Sequence, residues 1–327
     1  MAGQNLSVVI LMTKLVSFLI DPLITGEVVG MCAGPLTRTD TAFMGFYAVD
    51  PTYQGSGIGR ELWAKTTGRL DSSANIGLYG VPSMSAKYKK SGFALEDTIK
   101  LLIHESEAYL ENELGLDKLC NIDQLRGCQL VTLTGREDDT YKKIVEYDAN
   151  VNRFSRESLL KEYLLGSNIP LTLAVVKSVA RKQSSPATTG CCTTTTQNQA
   201  EDLRSAHELD EAYKVHPDKK ECAGRAQVVG YGCIRHDNTS GGMVGPIYAD
   251  SSEICEVILK NLLKQFELQP GGKYSVMALS SNKQASEIAS KLGLKEVDQC
   301  SRMFTKFIPT ASYSQVYYIH SPNFTLF

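Results

Sequence analysis

The hydrophobic pattern of the chain repeats in two stretches. Short apolar runs predict strands, and apolar positions three or four residues apart predict helices. The first stretch gives the order strand, strand, helix, strand, helix, strand, over residues 27–33, 41–49, 58–66, 76–81, 84–91 and 98–104. The second stretch gives the same order, over residues 227–235, 242–248, 252–266, 274–279, 282–292 and 295–307. The pattern therefore predicts an α/β chain with an internal duplication.

The residues between the two stretches show a different pattern. They predict extended structure over 118–133, helix over 141–165 and a strand over 170–179. Residues 182–224 begin rich in Ser, Thr and Pro and lack apolar periodicity, which predicts a mobile insertion that is dispensable for folding. The Tyr-rich tail after Pro309 gives no assignment. The expected organisation is a first domain, a connection, the insertion, a second module and a tail, over residues 1–135, 136–181, 182–226, 227–309 and 310–327.

A glycine-rich turn follows the second predicted strand and precedes the first predicted helix. It runs from Gln54 to Gly59, with the sequence QGSGIG. Unpaired N–H groups and the dipole at a helix start favour an anion, and glycines let that anion approach the backbone closely. The turn lacks the Gly-x-Gly-x-x-Gly spacing of a dinucleotide fold and the Gly-Lys-Ser/Thr of a phosphate-loop NTPase. Taken alone, it is either an ordinary turn or a site for a coenzyme with a diphosphate.

Two segments together resemble the GNAT superfamily of acetyl-CoA-dependent N-acetyltransferases. The segment from Val49 to Leu62 resembles the coenzyme A motif of that family, and the segment from Tyr88 to Phe93 resembles its Tyr-x-x-x-Gly-Phe element. The resemblance covers about residues 25–105. It implies a mixed sheet flanked by helices, with acetyl-CoA as co-substrate, bound by Val49, Gln54, Gly55, Ser56, Gly57, Ile58, Gly59 and Arg60.

The resemblance also implies direct transfer to the amine of an acceptor, for which we expect a small-molecule amine or an amino acid. Backbone N–H groups near Val49 would polarise the thioester carbonyl, and Tyr88 would protonate the departing thiolate. The alternative for Tyr88 is a packing tyrosine with a hydrogen-bonded hydroxyl. The general base is not identified, since Asp40, Asp50 or water could serve.

The second stretch, over residues 230–309, resembles the smaller module that follows such a domain in tandem GNAT proteins. Its turn from Asp250 to Glu253 carries acidic residues in place of glycines, and these should repel a diphosphate. Ala289 stands where the first stretch has Tyr88. Asn282 matches an asparagine that the family places at the start of its last helix, where the first stretch has Val81. We therefore expect the second module to complete the acceptor pocket or to be structural, without binding coenzyme A.

The start of the first module is shorter than in the resembling family, which places a strand and one or two helices before the strand at Glu27. Residues 6–24 are mostly apolar, but Lys14 and Asp21 would be costly at the centre of a bilayer. We expect a buried segment, with a membrane anchor as the alternative. Either these residues replace the missing elements, or the chain is a catalytically weak acyl-CoA-binding or regulatory protein of the same fold.

Composition narrows the remaining function classes. The formal net charge of −2 does not favour a nucleic-acid partner. The nine cysteines include no Cys-x-x-Cys pair and no Cys/His cluster with zinc spacing, so no metal site is expected. Free thiols favour a reducing compartment, and we therefore expect a cytoplasmic protein. An unrelated structural or interaction protein is the third interpretation, and the oligomeric state is left open.

Overall fold

The computed structural model describes residues 7–12, 16–21, 28–107, 114–167, 169–178, 226–237 and 240–323. By its contacts the chain divides into two compact units, one made of Met1–Lys177 with Gln227–Phe327 and the other of Ser178–Ala226. The helices described below belong to the first of these units. The insertion predicted over residues 182–224 lies outside the described residues.

Two short strands occupy the apolar stretch near the start of the chain. Strand β1 (Ser7–Met12) pairs antiparallel with strand β2 (Val16–Asp21). This hairpin stands where the sequence predicted a buried segment or a membrane anchor. Among the described residues, no helix has the length and apolar character needed to cross a membrane.

The first predicted stretch folds into the expected succession of elements, which we call the first module. Its strands and helices are β3 (Gly30–Ala33), β4 (Thr41–Val49), α1 (Ile58–Thr67), β5 (Asn75–Gly80), α2 (Ser85–Lys90) and β6 (Leu95–Glu105). Strand β3 pairs with β2 on one edge and with β4 on the other, so the N-terminal hairpin extends the sheet of this module.

The connection between the modules contains two strands and two helices. They are β7 (Cys128–Thr132), α3 (Asp139–Asn152), α4 (Glu157–Leu165) and β8 (Leu171–Ser178). The prediction of one continuous helix over 141–165 is wrong, because Arg153 takes a left-handed conformation with φ of 63° that ends α3. Helix α3 begins at a side-chain cap, where Asp138 accepts a hydrogen bond of 2.8 Å from the Thr140 N–H.

The second predicted stretch also folds as expected, and we call it the second module. It comprises β9 (Ala226–His236), β10 (Gly242–Ala249), α5 (Ser252–Gln265), β11 (Tyr274–Leu279), α6 (Lys283–Lys291) and β12 (Lys295–Phe304). The tail that the sequence left unassigned forms one more strand, β13 (Val316–Tyr318). The predicted architecture, a mixed sheet flanked by helices and built from two similar modules, is confirmed.

The two modules exchange their last strands. Within the described residues the sheet order is β1-β2-β3-β4-β5-β12-β6-β11-β13-β10-β9-β8-β7. Strand β12 lies beside β5 of the first module, with Ser301 opposite Gly80. Strand β6 lies beside β11 of the second module, with Leu101 opposite Leu279. Each module alone would expose unpaired strand edges at these positions, so the exchange makes the two modules interdependent.

Buried ion pairs lie within the connection and between the two exchanged strands. Arg156 donates two hydrogen bonds to the Asp148 carboxylate, of 2.8 and 2.7 Å, and the Tyr231 hydroxyl of β9 donates to the same carboxylate. Arg302 of β12 pairs with Asp97 of β6 at 2.7 Å. Both arginines are almost completely buried, and a charge in that position is tolerated only when it is paired.

Candidate functional site

The first module contains an open cleft between two parallel strands. Strands β4 and β5 pair from Thr41 opposite Asn75 as far as Met44 opposite Leu78, and then diverge. The cleft between them encloses about 1000 Å³, which is in the size range of small-molecule and cofactor sites. We call the end at the last parallel pair, Met44 with Leu78, the closed end of the cleft.

A bulge in β4 accompanies this divergence. The pairing of β3 with β4 shifts so that Phe46 and Tyr47 together stand opposite the single residue Cys32. Phe46 takes φ of 49°, which is uncommon for a residue with a bulky side chain. A bulge of this kind re-aims the following residues of its strand. Beyond it, Tyr47, Ala48 and Val49 line the cleft.

The glycine turn forms the opposite, open end of the cleft. Gly55 and Gly57 have φ of 80° and 96°, a region that other residues rarely adopt. The first bond inside α1 runs from the Glu61 N–H to the Gly57 carbonyl at 3.1 Å. The N–H groups of Ile58 and Gly59 therefore come before the first N–H that donates inside the helix, and no side chain caps this helix. Such an end favours an anion.

Side chains of the turn support its shape. The Gln54 amide nitrogen donates to the Val49 carbonyl at 3.2 Å, and the Ser56 hydroxyl donates to the Tyr53 carbonyl at 2.6 Å. Ile58 is buried in the apolar cluster under α1, so only its backbone faces the turn. Gly59 lies under Tyr47, because a Cβ on Gly59 would stand 2.7 Å from the Tyr47 hydroxyl oxygen.

The positively and negatively charged residues of the cleft lie on different elements. Arg60 of α1 and Lys87 of α2 line it on the side of the two helices. Of the described residues that line the cleft, only Asp298 is acidic, and it comes from β12. The pairing of β12 with β6 is irregular between Glu296 and Asp298, which adds one residue to β12 beside the cleft. The cleft therefore combines a cationic wall with one carboxylate supplied by the second module.

Tyr88 of α2 lies in the wall of the same cleft. Its ring stacks on Trp63 with centroids 5.9 Å apart and meets Phe93 edge-on at 6.3 Å. Gly80 leaves room for this ring, since a Cβ there would lie 3.0 Å from it. Burial, with a smaller contribution from Tyr47, raises the pKa of the Tyr88 hydroxyl above its usual value. Tyr88 is therefore protonated at neutral pH, as a general acid must be.

The corresponding cleft of the second module is filled. Strands β10 and β11 pair in parallel only as far as Val244 opposite Val276. Strand β13 then enters between them, with Tyr318 opposite both Ile247 and Ala278. This strand takes the place that stays open in the first module.

The turn of the second module is also occupied. Asp250 accepts hydrogen bonds from the Tyr147 hydroxyl at 2.9 Å and from the Gln315 side chain at 2.7 Å. Asn282 at the start of α6 donates to the Val316 carbonyl at 3.0 Å. The residue that matched a family asparagine in the sequence thus holds the tail in this structure.

Comparison with protein-family models gives two matches, one for each module. Residues 13–78 match the acetyltransferase (GNAT) family, and residues 214–318 match an acetyltransferase (GNAT) domain. The chain belongs to the GNAT superfamily, in its tandem form. The two modules of this GNAT protein thus account for both predicted stretches.

Curated relatives match a limited part of this GNAT protein. An uncharacterized protein of Caenorhabditis elegans is 30% identical over 126 residues, 37% of the chain and 36% of that protein. Holothin acyltransferase of a Pseudoalteromonas species is 28% identical over 127 residues, 38% of the chain and 36% of that enzyme. The chain thus matches little more than a third of the length of these relatives.

Solved structures share the fold over most of the chain. A Pyrococcus horikoshii protein described as an acetyltransferase superposes with a TM-score of 0.56 at 18% identity, over 94% of this chain and 80% of its own. A tandem GNAT protein of the clavulanic acid biosynthesis pathway superposes with a TM-score of 0.53 at 15% identity, over 89% of this chain and 82% of its own. At these identities the likeness supports the tandem fold alone.

The structure brings most of the sequence-predicted site residues to the cleft of this GNAT protein. Those lining it are Val49, Gln54, Gly55, Gly57, Gly59, Arg60 and Tyr88. Ser56 and Ile58 lie in the turn without lining the cleft. The sequence did not indicate Asp298, Pro322 and Asn323, which come from β12 and the tail. No local motif marks them, because they reach the first module only through the strand exchange and the path of the tail.

The described part of the chain also holds possible metal ligands and cysteine thiols. No group of three His, Cys, Asp or Glu side chains there could hold a metal ion. The six cysteines in the described residues form no disulfide. Burial raises the pKa of Cys32, beside the cleft, to about 11, so this thiol stays protonated at neutral pH.

Proposed function

We propose that the first module transfers an acetyl group from acetyl-CoA to an amine by direct attack of the amine on the thioester carbonyl. The observation that carries this proposal is the contrast between the two clefts. The first is open and ends at a helix start whose N–H groups are unpaired, whereas β13 fills the second. In the proposed complex the diphosphate lies at the turn from Gln54 to Gly59, beside Arg60 and Lys87.

The geometry of β4 supports a place for the arm of the coenzyme. The Asp50 N–H donates to the Val29 carbonyl at 2.8 Å, so this N–H points away from the cleft. Because successive residues of a strand direct their N–H groups to opposite edges, the Val49 N–H faces the cleft. Val49 can therefore bond the extended arm or polarise the thioester carbonyl, as the family resemblance implies.

An amine acceptor suits Asp298, the one carboxylate among the described residues that line the cleft. A protonated amine is attracted to Asp298, whereas a neutral or anionic acceptor gains nothing from it. In the reaction the neutral amine nitrogen bonds to the carbonyl carbon, and the carbon–sulfur bond breaks. The amine loses its proton to solvent, and the departing thiolate receives a proton from the Tyr88 hydroxyl. An acceptor amine that is bound by Asp298 should therefore show a lower apparent affinity for the Asp298→Asn variant.

The test begins with calorimetric titration of acetyl-CoA into the wild type and Gly59→Glu. A carboxylate placed within about 4 Å of the diphosphate costs about 1–4 kcal/mol per charge pair at the effective dielectric constants of a protein surface. We therefore expect at least a fivefold loss of affinity. Gly59→Gln separates bulk from charge. Ala64→Glu places the same charge on an exposed position of α1 outside the cleft and should bind normally.

The second measurement follows release of free coenzyme A with a panel of amines and neutral alcohols. The proposal is supported if the wild type turns over with amines and if Gly59→Glu, which should bind acetyl-CoA poorly, loses turnover with every acceptor. Absence of acetyl-CoA binding to the wild type refutes it. Binding without turnover on any amine instead favours a catalytically weak acyl-CoA-binding protein.

A further inference from the structure

The C-terminal tail passes through both clefts of the molecule. After filling the second cleft as β13, it continues past Ile319, whose carbonyl oxygen lies where a Cβ on Gly245 would stand. Four residues later the carbonyl oxygen of Asn323 lies where a Cβ on Gly45 would stand. Gly45 and Gly245 each follow the last parallel pair of their own cleft, Met44 with Leu78 and Val244 with Val276. The tail therefore crosses both clefts at the equivalent point.

Asn323 is fixed at the first cleft by specific contacts. Its side-chain oxygen accepts a hydrogen bond of 3.0 Å from the Phe46 N–H, 277 positions away in the sequence. Its own N–H donates to the hydroxyl of the buried Ser321 at 3.2 Å. The missing side chain of Gly45 lets the tail backbone approach β4 closely. The contact is specific, because it depends on the glycine at position 45, on the bulge at Phe46 and on the buried hydroxyl of Ser321.

The tail is anchored along its length before it reaches Asn323. The Ile319 N–H donates to the Met277 carbonyl at 2.9 Å. The ring of His320 stacks on Tyr163 of α4 with centroids 3.9 Å apart. These contacts with the second module and the connection hold the segment that leads residues 322 and 323 to the cleft.

Asn323 lies at the closed end of the cleft. The diphosphate end is the turn at Gly57, whereas Asn323 is bonded to Phe46, two residues from the last parallel pair at Met44. Pro322 and Asn323 both line the cleft. A coenzyme whose diphosphate rests at the turn directs its thioester arm along β4 toward this closed end. Any acyl chain beyond the thioester carbonyl then meets the tail.

We propose that Asn323, presented by the C-terminal tail, limits the length of the acyl chain that the first cleft accepts. This inference rests on the proposed function, since it requires coenzyme A thioesters to bind in that cleft. Asn323 makes this selection by occupying space and by holding the bulge at Phe46, and it has no part in proton transfer.

Calorimetric affinities of acetyl-CoA and butyryl-CoA test the proposal without requiring turnover. The wild type should bind acetyl-CoA more tightly than butyryl-CoA. In Asn323→Ala the shortened side chain opens the closed end, and burying two additional methylenes gains up to about 15-fold in affinity. The affinity ratio should therefore shift by about that factor toward butyryl-CoA. Asn323→Ser, which keeps a side-chain oxygen, provides the same test should the alanine variant fold poorly.

Gln315→Ala is the matched control. It removes a tail side chain that bonds Asp250 in the second module, and it should keep the wild-type ratio of affinities. An unchanged ratio in Asn323→Ala and Asn323→Ser, with acetyl-CoA bound normally, overturns the inference and leaves the proposed function intact. A changed KM for the acceptor amine with an unchanged thioester ratio also overturns it, and places the tail on the acceptor side. Failure of the wild type to bind either thioester refutes the proposed function and this inference together.

Discussion

Replacement of Tyr88 by phenylalanine separates a role in proton transfer from a role in packing. The substitution keeps the ring that stacks on Trp63 and meets Phe93, and removes only the hydroxyl. A side chain that serves packing alone should show little change in stability or in turnover. A general acid should lose turnover while acetyl-CoA affinity stays near the wild-type value, because in the proposed complex the hydroxyl would act on the thioester sulfur rather than on the diphosphate.

The expected loss of turnover follows from comparing the pKa of the Tyr88 hydroxyl with the pKa of the leaving thiol. The pKa of Tyr88 is raised by burial above the usual phenol value of about 10, whereas a leaving thiol has a pKa of about 8.5. Full proton transfer from Tyr88 to the thiolate is therefore uphill by about 2 kcal/mol or more. General acids contribute about 10²–10⁴-fold, and this mismatch places Tyr88 at the lower end. We expect kcat to fall about 10²-fold, which corresponds to about 2.7 kcal/mol.

The assay measures kcat and acetyl-CoA affinity for Tyr88→Phe between pH 7 and 10.5. Tyr141→Phe, which removes a hydroxyl from α3 outside the cleft, is the control and should turn over normally. Because the protonated phenol is the active form, the advantage of the wild type should be constant near neutral pH and decline only as pH rises through the raised Tyr88 pKa. Equal turnover of Tyr88→Phe and wild type would show that Tyr88 is a packing residue.

Three further predictions concern stability. Asp148→Asn breaks the buried pair with Arg156 and should cost about 3–5 kcal/mol in denaturant unfolding. Asp139→Asn removes an exposed ion pair with Lys143 and should cost at most about 1 kcal/mol; similar costs for both would argue against the network. Burial holds the pKa of His320 well below its usual value, between Tyr163, Arg235 and Arg156. The unfolded chain therefore takes up a proton below about pH 6.5 that the folded chain does not, so stability should fall by up to about 1.4 kcal/mol per pH unit there, and His320→Gln should reduce this slope. Asn282→Ala removes the hydrogen bonds to the Ser314 and Val316 carbonyls of the tail, together with the side-chain cap of α6, and should cost about 1–3 kcal/mol. Amide exchange in β13 should become faster, and unchanged exchange would contradict the anchoring role.

Local patterns were sufficient for the elements and for one end of the site. The glycine turn, the strand before it and the helix after it are contiguous, so the family resemblance that singled out Gln54 to Arg60 could be found in the sequence. The repetition of apolar runs similarly indicated two modules, because each element buries one face against its own neighbours in sequence. The same reasoning failed at Arg153, where a left-handed residue interrupts an amphipathic pattern that continues on both sides of it.

Only the tertiary structure decided how the modules combine and what surrounds the cleft. The order of strands in the sequence does not specify that β12 and β6 change places, because strand pairing depends on which edges remain unsatisfied once both modules are assembled. The position of the tail is likewise non-local: β13 fits between β10 and β11 because those strands diverge, and Asn323 reaches Phe46 because the tail continues from there. Asp298 and Asn323 therefore enter the first cleft from segments more than 190 residues away from its motifs. The sequence by itself determined the two modules and the glycine-turn end of the cleft, while the assembled sheet determined the opposite end.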